Sequence, residues 1–217
     1  MKQIVIGLHG FGINRSKEFI PLKIECIKNN IEFITFDMFD LTLNDLDYRL
    51  WIHKAESVVK KYIDEEYKVI LVGFSMGGVI ASFLATYLNI DRLILISPAF
   101  YYVNYDSTKN MIKRISEMDN EERHKYIFNK RPSLKYTNNF INIVNELRKS
   151  IKLVTCPIYL IYGTNDELVP YKSIKYVKNN YKGNLIYNEF NNAYHELHFI
   201  GDYVEQVNNT IIKQIKN

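Results

Sequence analysis

The sequence predicts an α/β protein: a largely parallel sheet with helices on both faces. Short β-branched runs alternate along the chain with stretches of helical spacing, the order that a parallel sheet with crossover helices requires. The runs are continuously apolar rather than alternating, as expected for strands covered on both sides. The scale agrees, because 217 residues with 47% hydrophobic and 24% charged content suit one domain with a full core.

The strands are predicted at QIVIGLH (3–9), EFITFD (32–37), YKVILVGF (67–74), RLILIS (92–97), CPIYLIYG (156–163) and NLIYNEF (184–190). Helical spacing fills 15–29, 46–62, 76–88, 171–181 and 197–215. The exception is 99–150, which holds no strand candidate. It carries helical spacings at Met111, Ile115 and Met118, and again at Phe140, Ile143, Val144 and Leu147, with many tyrosines nearby. About fifty residues is long for a simple crossover. The segment 99–150 therefore reads as a helical cap inserted after the fourth strand, over a core made of 1–98 and 151–217.

Composition narrows the function. The net charge is +4, and the basic residues are scattered, which leaves no electrostatic footprint for nucleic acid or an anionic membrane. Two cysteines, Cys26 and Cys156, argue against a disulfide framework and for a reducing compartment. The apolar run before His9 is too short for a signal-peptide core, and no stretch approaches the roughly 18 apolar residues of a membrane span. A cytoplasmic protein is expected. Cys and His are too few and too dispersed for a metal site, HExxH is absent, and neither GxGxxG nor a P-loop lysine follows the glycines, so no metal or cofactor is expected.

Residues 71–80 read LVGFSMGGVI. Gly73-Phe74-Ser75-Met76-Gly77 is G-x-S-x-G between a predicted strand and a predicted helix. Such a turn strains its central residue and pushes the serine hydroxyl out at the C-terminal edge of the sheet, where open α/β sheets bind ligands. Side chains at the flanking positions would collide across the turn, so glycines fill them. The bland alternatives are a glycine-rich turn carrying a surface serine and a phosphate-binding loop.

A serine hydroxyl needs a base, and the base needs an orienting group. Asp166 follows the fifth strand, in Gly163-Thr164-Asn165-Asp166-Glu167, with Glu167 and Asp202 as rivals. His195 follows the sixth, in Asn191-Asn192-Ala193-Tyr194-His195, with His198 as its near rival. Negative charge developing on a carbonyl oxygen needs preorganised donors. Met76 N–H, just after the serine, and Phe11 N–H, in His9-Gly10-Phe11-Gly12 after the first strand, are the candidates. His9 itself reads as a structural residue tying loops together.

HGFG, GFSMGG, GTNDELVP and AYHEL, in that order, resemble the α/β-hydrolase superfamily. Within it the chain is similar to small bacterial carboxylesterases and the monoglyceride lipase/lysophospholipase group. The resemblance covers nearly everything except the cap. It implies an α/β-hydrolase fold of about six mainly parallel strands, without the two leading strands common in the family. It further implies a Ser75–His195–Asp166 triad that cleaves small or medium acyl esters through an acyl-enzyme. Where the family often has a GxGxS segment, this sequence has Asp37-Met38-Phe39-Asp40-Leu41. The same triad serves peptidases, amidases, thioesterases and C–C bond hydrolases, and the fold also serves as a non-catalytic receptor. A small-molecule ester is the expected partner, and a cap-mediated homodimer is compatible with the sequence.

Overall fold

Among the described residues, six strands form a single sheet in the order β2-β1-β3-β4-β5-β6, and every neighbouring pair is parallel. They are β1 (Gln3–Leu8), β2 (Phe33–Thr35), β3 (Lys68–Phe74), β4 (Arg92–Ile96), β5 (Ile158–Gly163) and β6 (Leu185–Phe190). This is a computed structural model, and it describes residues 2–12, 15–40, 47–101 and 134–217.

The continuous apolar runs are explained by the two cores they serve. Successive strand residues point to opposite faces. Ile4, Ile6 and Leu8 of β1, Leu71 of β3 and Leu160 of β5 join one cluster, while Val5, Ile70, Val72 and Ile161 join the other. Against the first face lie α2 (Tyr48–Asp64), α3 (Met76–Leu84) and α5 (Tyr171–Asn180), through Trp51, Val79 and Ile174 among others. Against the second lie α1 (Ile20–Lys28) and α6 (Val204–Lys216), through Leu22, Cys26, Val207 and Ile211.

Local chemistry sets several boundaries. Arg15–Phe19 forms a 3₁₀ turn, and α1 starts where Pro21 can occupy its first turn without losing a needed N–H. Asp47 caps α2 by accepting the Arg49 N–H at 3.0 Å. Helix α6 begins at Val204 rather than 197, because Gly201 takes φ 91° and residues 196–203 turn instead. The edge strands also depart from expectation. β2 keeps only three residues, and β6 alternates in burial rather than being covered throughout, as an edge strand with solvent on its flank should.

Most of the cap reading falls on residues 102–133, outside the described residues. Its C-terminal part is α4 (Leu134–Leu147), which packs on α3 with Ile143 and Val144 buried, as the helical spacing there requires. The entry to the segment is pinned by Ser173 of α5. Its hydroxyl donates to the Pro98 carbonyl at 2.5 Å and accepts the Phe100 N–H at 2.8 Å.

The register is what positions the site. Leu8 lies opposite Gly73, Phe74 opposite Ile96, Ile96 opposite Ile161 and Gly163 opposite Phe190. The loops leaving β1, β3, β5 and β6 therefore emerge along one edge. The chain order also reverses between β1 and β3, which places a crevice there.

Candidate active site

Ser75 sits between the last residue of β3 and the first of α3, with φ 52° and ψ −117°. That conformation is strained for any residue with a Cβ, by about 1–3 kcal/mol. The surroundings hold it. Its N–H donates to the Ile96 carbonyl at 3.0 Å, and its carbonyl accepts the Gly78 and Ala99 N–H groups, each at 3.0 Å.

The two flanking glycines are needed for different reasons. A Cβ on Gly73 would lie 2.5 Å from the Gly78 Cα, a collision across the turn. A Cβ on Gly77 would lie 2.0 Å from the Leu8 carbonyl oxygen and 2.6 Å from that of His9. Gly77 thus lets the end of β1 press against α3, which the sequence reading did not anticipate.

Gly10 lies against the serine, since a Cβ there would come 3.3 Å from the Ser75 Cβ and 2.9 Å from the Phe74 ring. His9 locks this loop. Its Nδ1–H donates to the Gly10 carbonyl at 2.8 Å, and its Nε2 accepts the Met38 N–H at 2.8 Å. Both ring nitrogens are therefore committed, and burial lowers the His9 pKa to about 4. The ring is a neutral tie between the β1 loop and the segment 37–40.

That segment replaces the GxGxS pattern with an ionic and aromatic anchor. Asp37 accepts the Ser16 N–H at 3.1 Å and its hydroxyl at 2.6 Å, and Arg15 reaches both Asp37 and Asp40. Burial works against the Asp37 charge, but the Ser16 hydrogen bonds and Arg15 outweigh it and hold the carboxyl below its usual range. Met38 and Phe39 turn inward, with Phe39 4.3 Å from Trp51 and 5.0 Å from His9 between ring centroids. Phe11 stacks on Phe140 of α4 at 5.4 Å, so α4 borders the loop that carries the expected Phe11 N–H donor.

Asp166 and His195 meet. Asp166 Oδ2 lies 2.8 Å from His195 Nδ1, while its Oδ1 accepts the Leu168 and Val169 N–H groups at 3.0 and 2.7 Å. The carboxylate is thus aimed by its own loop. The two loops are laced together: Thr164 N–H donates to the Phe190 carbonyl, Asn165 N–H to that of Ala193, and Asn192 N–H to the Thr164 hydroxyl. Burial disfavours a charged His195, but Asp166, Glu196 and Glu167 together outweigh it and raise its pKa to about 9. His195 is 4% exposed, and its ring packs 4.8 Å from that of Phe74, the residue before Ser75.

Of the rivals, Glu167 is buried and near enough to favour the charged form of His195, while His198 and Asp202 are placed differently. His198 is fully buried, with neither ring nitrogen hydrogen-bonded, and is enclosed by Phe19, Phe74 and Phe199. Asp202 is exposed. Met76 is buried at the first position of α3. Among the described residues, no group of three or more His, Cys, Asp or Glu side chains is placed to hold a metal ion, and no helix is long and apolar enough to cross a membrane.

One participant was missed. Glu18, 6% exposed, accepts the Gly10 N–H at 2.9 Å. A signal existed: Glu18, Leu22 and Cys26 share helical spacing, so a carboxyl heads a face that is otherwise buried and apolar.

The chain is similar to known proteins in sequence and in fold. A hydrolase family described as serine aminopeptidase, S33, matches residues 101–200, the part that carries Asp166 and His195. A putative esterase/lipase 3 of Mycoplasma pneumoniae is 24% identical over 85% of this chain and 77% of its own. An AB hydrolase superfamily protein, YisY, of Bacillus subtilis is 27% identical over 82% of this chain and 80% of its own. Among solved structures, a soluble variant of monoglyceride lipase from Saccharomyces cerevisiae superposes with a TM-score of 0.79 at 16% identity, covering 99% of this chain and 86% of that one. The sheet and its solved structural neighbours give the chain the α/β-hydrolase fold.

Proposed function

We propose that the protein is a serine esterase that cleaves carboxylic esters of small or medium acyl groups. The observation that carries this reading is the 2.8 Å contact between Asp166 and His195 at the sheet edge where strained Ser75 emerges. The Ser75 hydroxyl attacks the ester carbonyl as His195 takes its proton, and Asp166 holds the ring and stabilises its charged form. The Phe11 and Met76 N–H groups receive the developing oxyanion. His195 then gives its proton to the leaving alcohol, and water releases the acid by the same steps in reverse order. The esterase/lipase naming of the Mycoplasma relative supports the ester as substrate. Both cysteines are free, which fits a cytoplasmic setting.

The decisive experiment is a p-nitrophenyl ester panel of graded acyl length, with fluorophosphonate labelling, on wild type and Ser75→Ala. Short and medium esters should turn over, and both turnover and labelling should vanish in the variant. Labelling that persists in Ser75→Ala would remove Ser75 from the mechanism. A second reading, an aminopeptidase or amidase using the same triad, is favoured by the description of the matching family. Aminoacyl-amide and thioester substrates in the same panel separate the two, and a protein that neither labels nor turns over any of them is a receptor rather than an enzyme.

A further inference from the structure

We propose that Glu18 is a positioning residue of the oxyanion loop: its buried carboxyl clamps the Gly10 N–H and thereby sets the direction of the Phe11 N–H beside Ser75. This rests on the esterase reading above.

The argument is geometric. Two peptide planes meet at the Gly10 Cα. The first carries the Gly10 N–H, which Glu18 Oε2 accepts at 2.9 Å. The second carries the Gly10 carbonyl, which His9 Nδ1–H holds at 2.8 Å. Fixing both planes fixes φ and ψ of the residue between them, and glycine is the residue that would otherwise leave those angles loosest. In a planar trans peptide the following N–H, that of Phe11, points opposite to the carbonyl His9 grips. Glu18 and His9 thus aim that donor jointly, one holding the plane before the Gly10 Cα and the other the plane after it.

Gly10 cannot be stiffened by adding a side chain, because a Cβ would come 2.9 Å from the Phe74 ring and 3.3 Å from the Ser75 Cβ. The rigidity that an oxyanion donor needs has to come from side chains that grip the Gly10 backbone. A carboxyl at Glu18 is costly there, since it is buried in the 3₁₀ turn that leads into buried Leu22 and Cys26 of α1. Burial pushes its pKa up to about 8, against the pull of the Gly10 N–H and of His195. An apolar residue would suit that face better but would leave the Gly10 N–H without its acceptor.

The test compares Glu18→Met, which keeps length and bulk but has no oxygen acceptor, with Glu18→Gln, which keeps one. Each is checked for folding by near-ultraviolet circular dichroism and assayed on a p-nitrophenyl ester that wild type cleaves. In Glu18→Met, kcat should fall by about 10- to 100-fold with KM within about threefold, because only transition-state contacts are lost. A trifluoromethyl ketone, which forms a tetrahedral adduct on the serine, should weaken in parallel with kcat. Glu18→Gln should stay within about threefold of wild type in kcat. A Met variant with near-wild-type kcat, a loss confined to KM, or a Gln variant as impaired as the Met variant would each overturn the proposal. Failure of the esterase reading shows separately, as wild-type turnover or labelling that survives Ser75→Ala.

Discussion

His195 Nδ1 lies 2.8 Å from Asp166 Oδ2, although 29 residues separate them in the chain, because their loops leave neighbouring parallel strands at the same edge. The pairing has a consequence for pH. In the proposed mechanism His195 is the general base, which works only when neutral; it is held at about 9, so kcat/KM should climb with pH through that region instead of levelling off near neutrality. Asp166→Asn removes the charge that opposes burial. Its turnover should drop by up to ~10⁴-fold, and its residual activity should rise at lower pH than that of wild type. Ester hydrolysis measured from pH 5 to 10 checks both. A variant within severalfold of wild type, or one whose pH profile coincides with it, would show that another group orients the ring.

The lacing between the two loops depends on Gly163. A Cβ there would lie 2.3 Å from the Ala193 carbonyl oxygen and 2.7 Å from its carbon, both backbone atoms that cannot swing away. Gly163→Ala should therefore displace the His195 loop, with stability falling by about 1–3 kcal/mol and esterase activity falling with it. Gly12→Ala is the contrasting case, since a Cβ at Gly12 meets no described atom within 4 Å. Its stability should match that of wild type within about 0.5 kcal/mol. Thermal melts of the pair decide the matter, and equal destabilisation of both would remove the packing explanation.

The contrast between these glycines marks what was legible in the sequence. Ser75, Asp166 and His195 could be expected at one edge because each lies in a loop that follows a strand, and a parallel sheet sends every such loop to the same edge. Strand and helix positions were readable to within a few residues for the same local reason, the start of α6 excepted. The departures have non-local causes. β2 and β6 are trimmed or half-exposed because they are sheet edges, a property of strand order rather than of their own residues. Gly77 looks like a turn glycine, yet it is needed because β1 ends against it. Glu18 gains its role only from the fold, which brings it to the Gly10 N–H. His198 looked like a second candidate base, and only its three aromatic neighbours show that it is enclosed.

That enclosure yields the last prediction. Burial, aided by the nearby charge of His195, lowers the His198 pKa to about 3. In the unfolded chain the same ring takes up a proton near 6.5. Below that pH the unfolded state binds a proton the folded state refuses, so stability falls as pH drops from about 6.5 toward about 3. At pH 5 the penalty from this one ring is about 2 kcal/mol by linkage. His9, held at about 4, acts in the same direction. His198→Met has similar volume and no proton to bind, and it removes two buried nitrogens that have no hydrogen-bond partner. Its melting temperature should exceed that of wild type by a margin that widens by about 4–8 °C between pH 7.5 and pH 5. A margin that stays constant across that range would mean that His198 takes up its proton in the folded protein too, and that the ring is not sealed from water as its surroundings indicate.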